Sequence, residues 1–573
     1  MIQLRSHDNR RVPHPWRAFV FAPRVGKHAL FLAATTLCLS SALGFAQQTR
    51  TDAEKDPVLK AMLTEMDRSK SGLQLPGFQK PFFIEFRIED AATFETRAEF
   101  GSSEGAESGH QRIARVAVRI GDYKTDSSGA RGDGAVEITT IDDDPIALRS
   151  ALWSAADNAY KQALDAYARK QAELKQVQTP PQADDFSQEK PLISLAAPAV
   201  LDLNDQAQKT WTDRIAHASG LYRNAPKDSS LQYCVASFSA RAVTTWLVNS
   251  EGTIVRKSSS SYQESFGAGT QAADGMRIDR TNASGGKTLA AIDSPEEFEK
   301  HSARVMASLA ELRNAPLVEE EYHGPLLLSS HAGAEAMHTL LASGLGATRP
   351  RLGTEARTNG PFASSYHARI LPDFLNAVDD PSLKTFDGKD LAGAYDVDDE
   401  GVAAKAVELV TGGKLENYLI GREPVRDLPQ SNGHARAAIS GAARPVIGVL
   451  KISADNGLSD DDLNKKLLDM AKDRGLASVY YVATLGAGLS PHVLYRVSVA
   501  DGKRELVRGA ALADIDQRAL RSGIEAAGNK PWVANYNSAI PETVLAPALL
   551  LSDVTVKRAN EKNNKLPYYP PPD

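Results

Sequence analysis

The sequence predicts an α+β protein: an N-terminal α/β-mixed domain with antiparallel strands and long helices, followed by a β-rich C-terminal domain. Three observations carry this reading. At 573 residues the chain is too long for a single hydrophobic core. Its first half mixes capped helical patterns with runs of period-two alternation, while such runs dominate the second half. Its composition, 42% hydrophobic and 24% charged, is that of a globular protein and excludes wholesale disorder.

Residues 1–46 are expected to be a signal peptide. Arg24 and Lys27 precede the apolar run "ALFLAATTLCLSSALGFA", and Gly44 and Ala46 are small residues at suitable cleavage positions. An N-terminal membrane anchor is the rival reading; Thr and Ser dilute the run and favour cleavage. Arg10-Arg11 lies too far from the run for a twin-arginine signal. "TTLC" lacks the small residue that a lipid-bearing Cys38 would need before it. Export to the periplasm or the exterior follows as an expectation. No later segment reaches about 18 uninterrupted apolar residues, so no membrane span is expected after cleavage.

The N-terminal α+β domain is assigned to 47–316. Asp56-Pro57 opens a helix as N-cap and first helical residue. "PFFIEFRIE", "TFETRAEF", "RIARVAVRI" and "AVEITTI" read as strands. In the third, Ala114, Val116, Val118 and Ile120 face one way and Arg115 and Arg119 the other. Asp144-Pro145 opens a long helix over about 146–177. A hairpin turning at Asn249–Gly252 follows, then a helix capped by Ser294 with Pro295 after it. The C-terminal β-rich domain is assigned to 317–558. It contains the strand "GPLLLSS", a helix over 331–343, strands joined by turns at Asp398–Gly401 and Gly412-Gly413, and a helix capped by Ser459 and ended by Gly475. Residues 559–573, ending "LPYYPPPD", read as an extended tail.

Charge and cysteine narrow the function. Residues 1–46 hold six of the 66 Lys and Arg and one of the 72 Asp and Glu, so the remainder carries a net charge of −11. No basic face suggests nucleic-acid binding. Beyond the signal only Cys234 remains, which rules out an intrachain disulfide. It lies in an apolar strand pattern and reads as a buried, inert thiol.

Several motifs could carry chemistry. His331, Glu335 and His338 stand at i, i+4 and i+7, and Glu335-x-x-His338 has the spacing of carboxylate di-metal bundles. Such a site needs ligands from other helices, which the surroundings do not supply, so the bland reading is the polar face of an amphipathic helix. "DVDDEG" gathers Asp396, Asp398, Asp399 and Glu400; a solvated turn is favoured over a calcium or magnesium site. His434 and Arg436 in "SNGHAR" could contact a peptide backbone or carboxylate, against a structural turn built on Asn432-Gly433. "GSSEG" at 101–105 matches G-x-S-x-G by letters only, because a strand follows it where a nucleophile elbow needs a helix. "GAG" at 267–269 and "GLG" at 344–346 lack the third glycine and the βαβ context of a nucleotide site.

The second half resembles the TldD/PmbA family, the "modulator of gyrase" peptidases. The resemblance rests on "EEYHGPLLLSSHAGAEAMHTLL", "DVDDEGVAAKAVELVTGGKLENYLIGREPVR", "SNGHARA" and "ETVLAPALLLSDVTV" in that order. It implies an N-terminal α+β domain joined to a β-rich C-terminal one. In TldD-type members it implies H-E-x-x-x-H on a helix, with zinc held by two histidines and a C-terminal cysteine, and with the glutamate as general base. PmbA-type members lack the motif and pair with TldD-type partners to trim extended or unfolded peptides. Here His338 falls on the first histidine, Thr339 on the glutamate and Ser343 on the second histidine, and no cysteine follows Cys234. One imidazole cannot supply the roughly 10–16 kcal/mol of a structural zinc site. No cofactor is therefore expected. The expectation is a PmbA-like, non-catalytic or partner-dependent subunit, homodimeric or paired with a TldD-type homologue, that binds extended peptide. An active hydrolase with an unrecognised site and an envelope binding or scaffold protein are the alternatives.

Overall fold

A computed structural model describes residues 48–129, 134–178 and 183–559. The expected signal peptide, and the expected tail apart from Ala559, lie outside the described residues.

The N-terminal half is built on one antiparallel-dominated sheet in the order β3-β2-β1-β5-β6-β4, with β7 pairing β6. Its strands are β1 (Phe83–Glu99), β2 (Ser102–Arg119), β3 (Ala135–Thr139), β4 (Ile193–Leu195), β5 (Tyr233–Asn249), β6 (Ile254–Gln271) and β7 (Arg277–Gly286). The two strands expected within 81–100 are one continuous strand, because Asp90-Ala91-Ala92 pairs on both sides and nothing interrupts the ladder. β1 turns into β2 through Phe100 and Gly101, both at positive φ (47° and 84°). That is the backbone of a two-residue primed turn, and it makes "GSSEG" a hairpin tip.

Helices α1 (Pro57–Gly72), α2 (Pro145–Leu174), α3 (Asp205–Ser219) and α4 (Pro295–Asn314) supply the apolar cover. Even-numbered residues of β1 meet them: Phe86 and Ile88 lie in one buried cluster with Leu59 of α1 and Leu152 of α2. Phe94 and Ala98 lie in a second with Ile215 of α3 and Leu309 of α4. Asp56 caps α1 by accepting from the Val58 and Leu59 amides and also accepts from the Trp246 indole at 2.9 Å. Cys234 is fully buried; burial pushes its thiol up to about 12.

The C-terminal half holds a seven-stranded sheet with β8 (Tyr322–Leu328) near its middle and a six-stranded sheet containing Leu375–Asp379 and Val449–Ala454. The stretch 542–558 joins them. Glu542–Ala546 belongs to the six-stranded sheet, and after Pro547 the chain re-enters as Leu549–Arg558 beside β8. Helix α5 (Ser330–Leu340) packs on strands of both sheets, while α6 (Asp460–Asp473) covers the seven-stranded one. The expected helix over 331–343 stops at Leu340: Leu341 and Ala342 turn inward and are buried, and Ala342–Gly344 forms a short 3₁₀ turn.

The two halves pack as one compact unit from Thr49 on. The odd-numbered, polar face of β1 is where they meet. Arg87 and Glu89 are buried, and Arg87 donates to the Gly441 carbonyl while Glu89 accepts from the Ser440 amide at 2.7 Å. Among the described residues no helix is long and apolar enough to cross a membrane.

Candidate functional site

Helix α5 begins at Ser329, whose hydroxyl accepts from the Ala332 amide at 3.1 Å. Its small residues allow close packing: a side chain at Gly333 would start 2.3 Å from the Pro547 carbonyl. His331, Glu335 and His338 share a face, and the strand Trp532–Tyr536 runs over it. The His331 ring lies 5.4 Å from that of Trp532. Its Nδ1 is buried without a hydrogen-bond partner, and burial holds the imidazole below its usual pKa. Tyr536 donates to Glu335 at 3.0 Å and stacks on His338 at 3.7 Å. His338 Nε2 meets Glu542 Oε2 at 2.7 Å. Thr339 and Ser343 are exposed. Among the described residues no three His, Cys, Asp or Glu side chains converge as a metal ion would require.

His434 and Arg436 are enclosed. His434 is 0% exposed, with Nε2 3.0 Å from Asp379 Oδ1 and Nδ1 3.1 Å from both Asn432 oxygens. This replaces the surface contact considered from sequence with an internal strut. The Arg436 guanidinium lies 4.2 Å over the Tyr395 ring, with Nε 3.7 Å from Asp399.

The turn "DVDDEG" is not solvated either. Asp398 and Asp399 are buried; only Asp396 is exposed, paired with Lys384 at 2.6 Å. Asp398 accepts from the Glu400, Val402 and Ala435 amides, and Lys257 of β6 reaches Asp399 and both neighbouring carbonyls. The acidic turn is thus part of the joint between the halves.

Beside that joint lies a cavity of about 260 Å³ that sequence reasoning missed. Its floor is the polar face of β1 and β2, including Glu85, Arg87 and Arg115. Its roof comes from the C-terminal half, with Glu400, Gly421 and the segment Ala442–Pro445. Glu400 Oε2 accepts from the Arg422 amide at 2.5 Å, and the missing side chain at Gly421 makes room, since a Cβ there would stand 2.8 Å from that oxygen. Glu85 has no side-chain partner among the described residues, and burial raises its pKa against the pull of Arg87, Arg422, Arg115 and Arg119. Burial also raises Glu400, reinforced by the Asp398, Glu85 and Glu423 carboxylates. Asp398 is raised by burial too, but its three amide donors favour its ionised form, so the shared proton resides on Glu400. The available signal was the charge alternation E-F-R-I-E, a polar strand face that a second layer can cover.

A pH effect follows. Between the ordinary carboxylate value and its raised folded value, Glu400 is protonated in the native state and ionised in the unfolded one. Folding there takes up a proton, so stability falls as pH rises through that window. Glu400→Gln is expected to match the parent near pH 5 and to exceed it by on the order of 1–3 kcal/mol at pH 9. Urea unfolding at both pH values checks this; a variant less stable at pH 9 contradicts it.

Residues 321–558 match the sequence profile of the PmbA/TldA metallopeptidase C-terminal domain. Over that stretch the chain carries a domain of the TldD/PmbA family. Its fold agrees with solved structures at low identity. TldE from Thermococcus kodakarensis aligns over 87% of this chain and 100% of its own, at 15% identity and a TM-score of 0.57. A candidate modulator of a DNA gyrase from Thermotoga maritima aligns over 86% and 100%, at 14% identity and a TM-score of 0.55. A candidate modulator of DNA gyrase from Bacteroides thetaiotaomicron covers 87% and 98%, at 14% identity and 0.55. No curated protein matches the sequence.

Set beside the zinc site that the TldD/PmbA resemblance implies, α5 does not fit the metal. The one retained imidazole, His338, has its Nε2 on Glu542, and the other two positions carry exposed hydroxyls, one of them past the helix end. Residues on the same helix face do not substitute: Glu335 is held by Tyr536, and His331 lies against Trp532.

Proposed function

We propose that this chain is an exported, PmbA-like member of the TldD/PmbA family that binds extended or unfolded polypeptide without a zinc centre, as a homodimer or with a TldD-type partner. The observation that carries the reading is the His338–Glu542 pair at 2.7 Å, which occupies the one imidazole left at the family's metal position. An edge strand supports the binding mode. β3 ends the N-terminal sheet, and its Val136 and Ile138 are 43% and 75% exposed, so an extended backbone can add beside them.

Metal analysis of protein purified without added metal, with a peptide-cleavage assay run with and without chelator, tests this. Substoichiometric zinc, no cleavage by the chain alone and retention of an unfolded polypeptide are expected. Stoichiometric zinc with chelator-sensitive turnover overturns the reading. Turnover without metal favours a hydrolase with another site.

A further inference from the structure

We propose that the cavity between the halves is a receptor for an α-ammonium group with its adjacent carbonyl or carboxylate, the chemistry shared by a peptide amino terminus and a free amino acid.

Hydrogen-bonding capacity of both polarities is left unmet around the cavity. Most charges around the cavity are committed to the protein. Arg119 holds Asp126 and Glu423 at 2.6 and 2.7 Å, and Arg349 is engaged by Asp185 and three backbone carbonyls. What remains is of two kinds. Glu85 has no side-chain partner, and Glu400 uses only Oε2, so acceptor oxygens from both halves face one space. On the donor side Arg87 is 2% exposed, yet its Nε makes no hydrogen bond, the Glu89 carboxylate standing 3.7 Å away. Arg444 at the rim has no side-chain partner among the described residues.

A buried donor left unmet beside unmet acceptors calls for a ligand with both polarities close together. A metal ion answers only the carboxylates, and no three ligating side chains converge here. An α-ammonium donates to Glu85 and Glu400 while the carbonyl next to it accepts from Arg87, and a free carboxylate would extend to Arg444. Glu400 is raised by burial to about 8 and Glu85 is raised in the same direction, so a cation bound between them displaces a proton from Glu400. The cavity is small enough to select one residue's head group.

For the peptide source the inference rests on the peptide-binding reading above. Calorimetric titration of the full chain uses three probes: tetra-alanine with a free amino terminus, its N-acetylated form, and L-alanine. Free tetra-alanine or L-alanine is expected to bind with proton release. Acetylation, Glu85→Gln and Glu400→Gln should each weaken binding by about tenfold or more. Ala442→Phe, at an exposed position on the mouth, should block it without disturbing the core. Binding by L-alanine alone supports this inference and counts against the peptide reading. Equal binding of free and acetylated peptide, or parent-like binding by both glutamine variants, overturns this inference and leaves the peptide reading standing. No binding by any probe overturns this inference, while the peptide reading, which rests on β3 and a longer extended chain, stands or falls by the retention of unfolded polypeptide.

Discussion

Arg422→Ala is expected to cost about 3–5 kcal/mol of stability, because it leaves the nearly buried Glu251 carboxylate with only the Tyr123 hydroxyl and no cation, and opens a large void. Arg422 comes from the C-terminal half and is 1% exposed. Its guanidinium donates to the Ser187 carbonyl at 2.6 Å and to Glu251 at 2.9 Å, both in the N-terminal half. It also lies 4.0 Å from the Phe186 ring centroid and 4.8 Å from that of Phe83. Planar stacking between two rings and a forked donor set are not reproduced by an ammonium, so Arg422→Lys should recover only a minor part. Urea denaturation followed by tryptophan fluorescence checks both variants. The alanine variant should also broaden the transition as the halves uncouple. A loss below about 1 kcal/mol would mean that water and neighbouring side chains replace the guanidinium, and that it is not the fastening described here.

Asp379→Ala should be of similar size, about 3–5 kcal/mol, but confined to the C-terminal half. Asp379 is 0% exposed and accepts from the Gly448 and Val449 amides as well as facing His434. Alanine leaves the Gly448 and Val449 amides and an imidazole unpaired in a dry interior. Asp379→Asn keeps the shape and one acceptor and should lose less. A double-mutant cycle with His434→Ala isolates the pair, and the two substitutions should cost clearly less together than the sum of each alone. Strict additivity would show that the imidazole and carboxylate do not depend on each other.

Local signals in the sequence were legible where a side chain declares its own backbone. Asp56, Asp144, Ser294 and Ser459 each cap the helix expected after them. The turn at Asn249–Gly252 joins β5 to β6 as read. What failed was the inference from polarity to exposure. Glu85, Arg87 and Glu89 alternate with Ile84, Phe86 and Ile88, a pattern that one wet face would give equally well. Periodicity tells which residues share a face, not what lies opposite, and here a second half of the chain covers the polar side. The same gap hid the burial of Asp398, Asp399 and His434, whose partners lie far away in sequence. On α5 the spacing correctly placed His331, Glu335 and His338 together. It could not show that Trp532, Tyr536 and Glu542 would supply their contacts, because those residues arrive about 200 positions later.

The crossing at Pro547 has a consequence for how the molecule is made. The last strand of the six-stranded sheet's central run and the partner of β8 sit in one stretch of seventeen residues at the far end of the described chain. During synthesis neither sheet can close until that stretch has emerged, however long the earlier strands have waited. Long-range closure of this kind slows assembly and leaves apolar edges open in the meantime. A nascent chain that stays unfinished until its end is one that chaperones, or a translocation channel, can still hold extended.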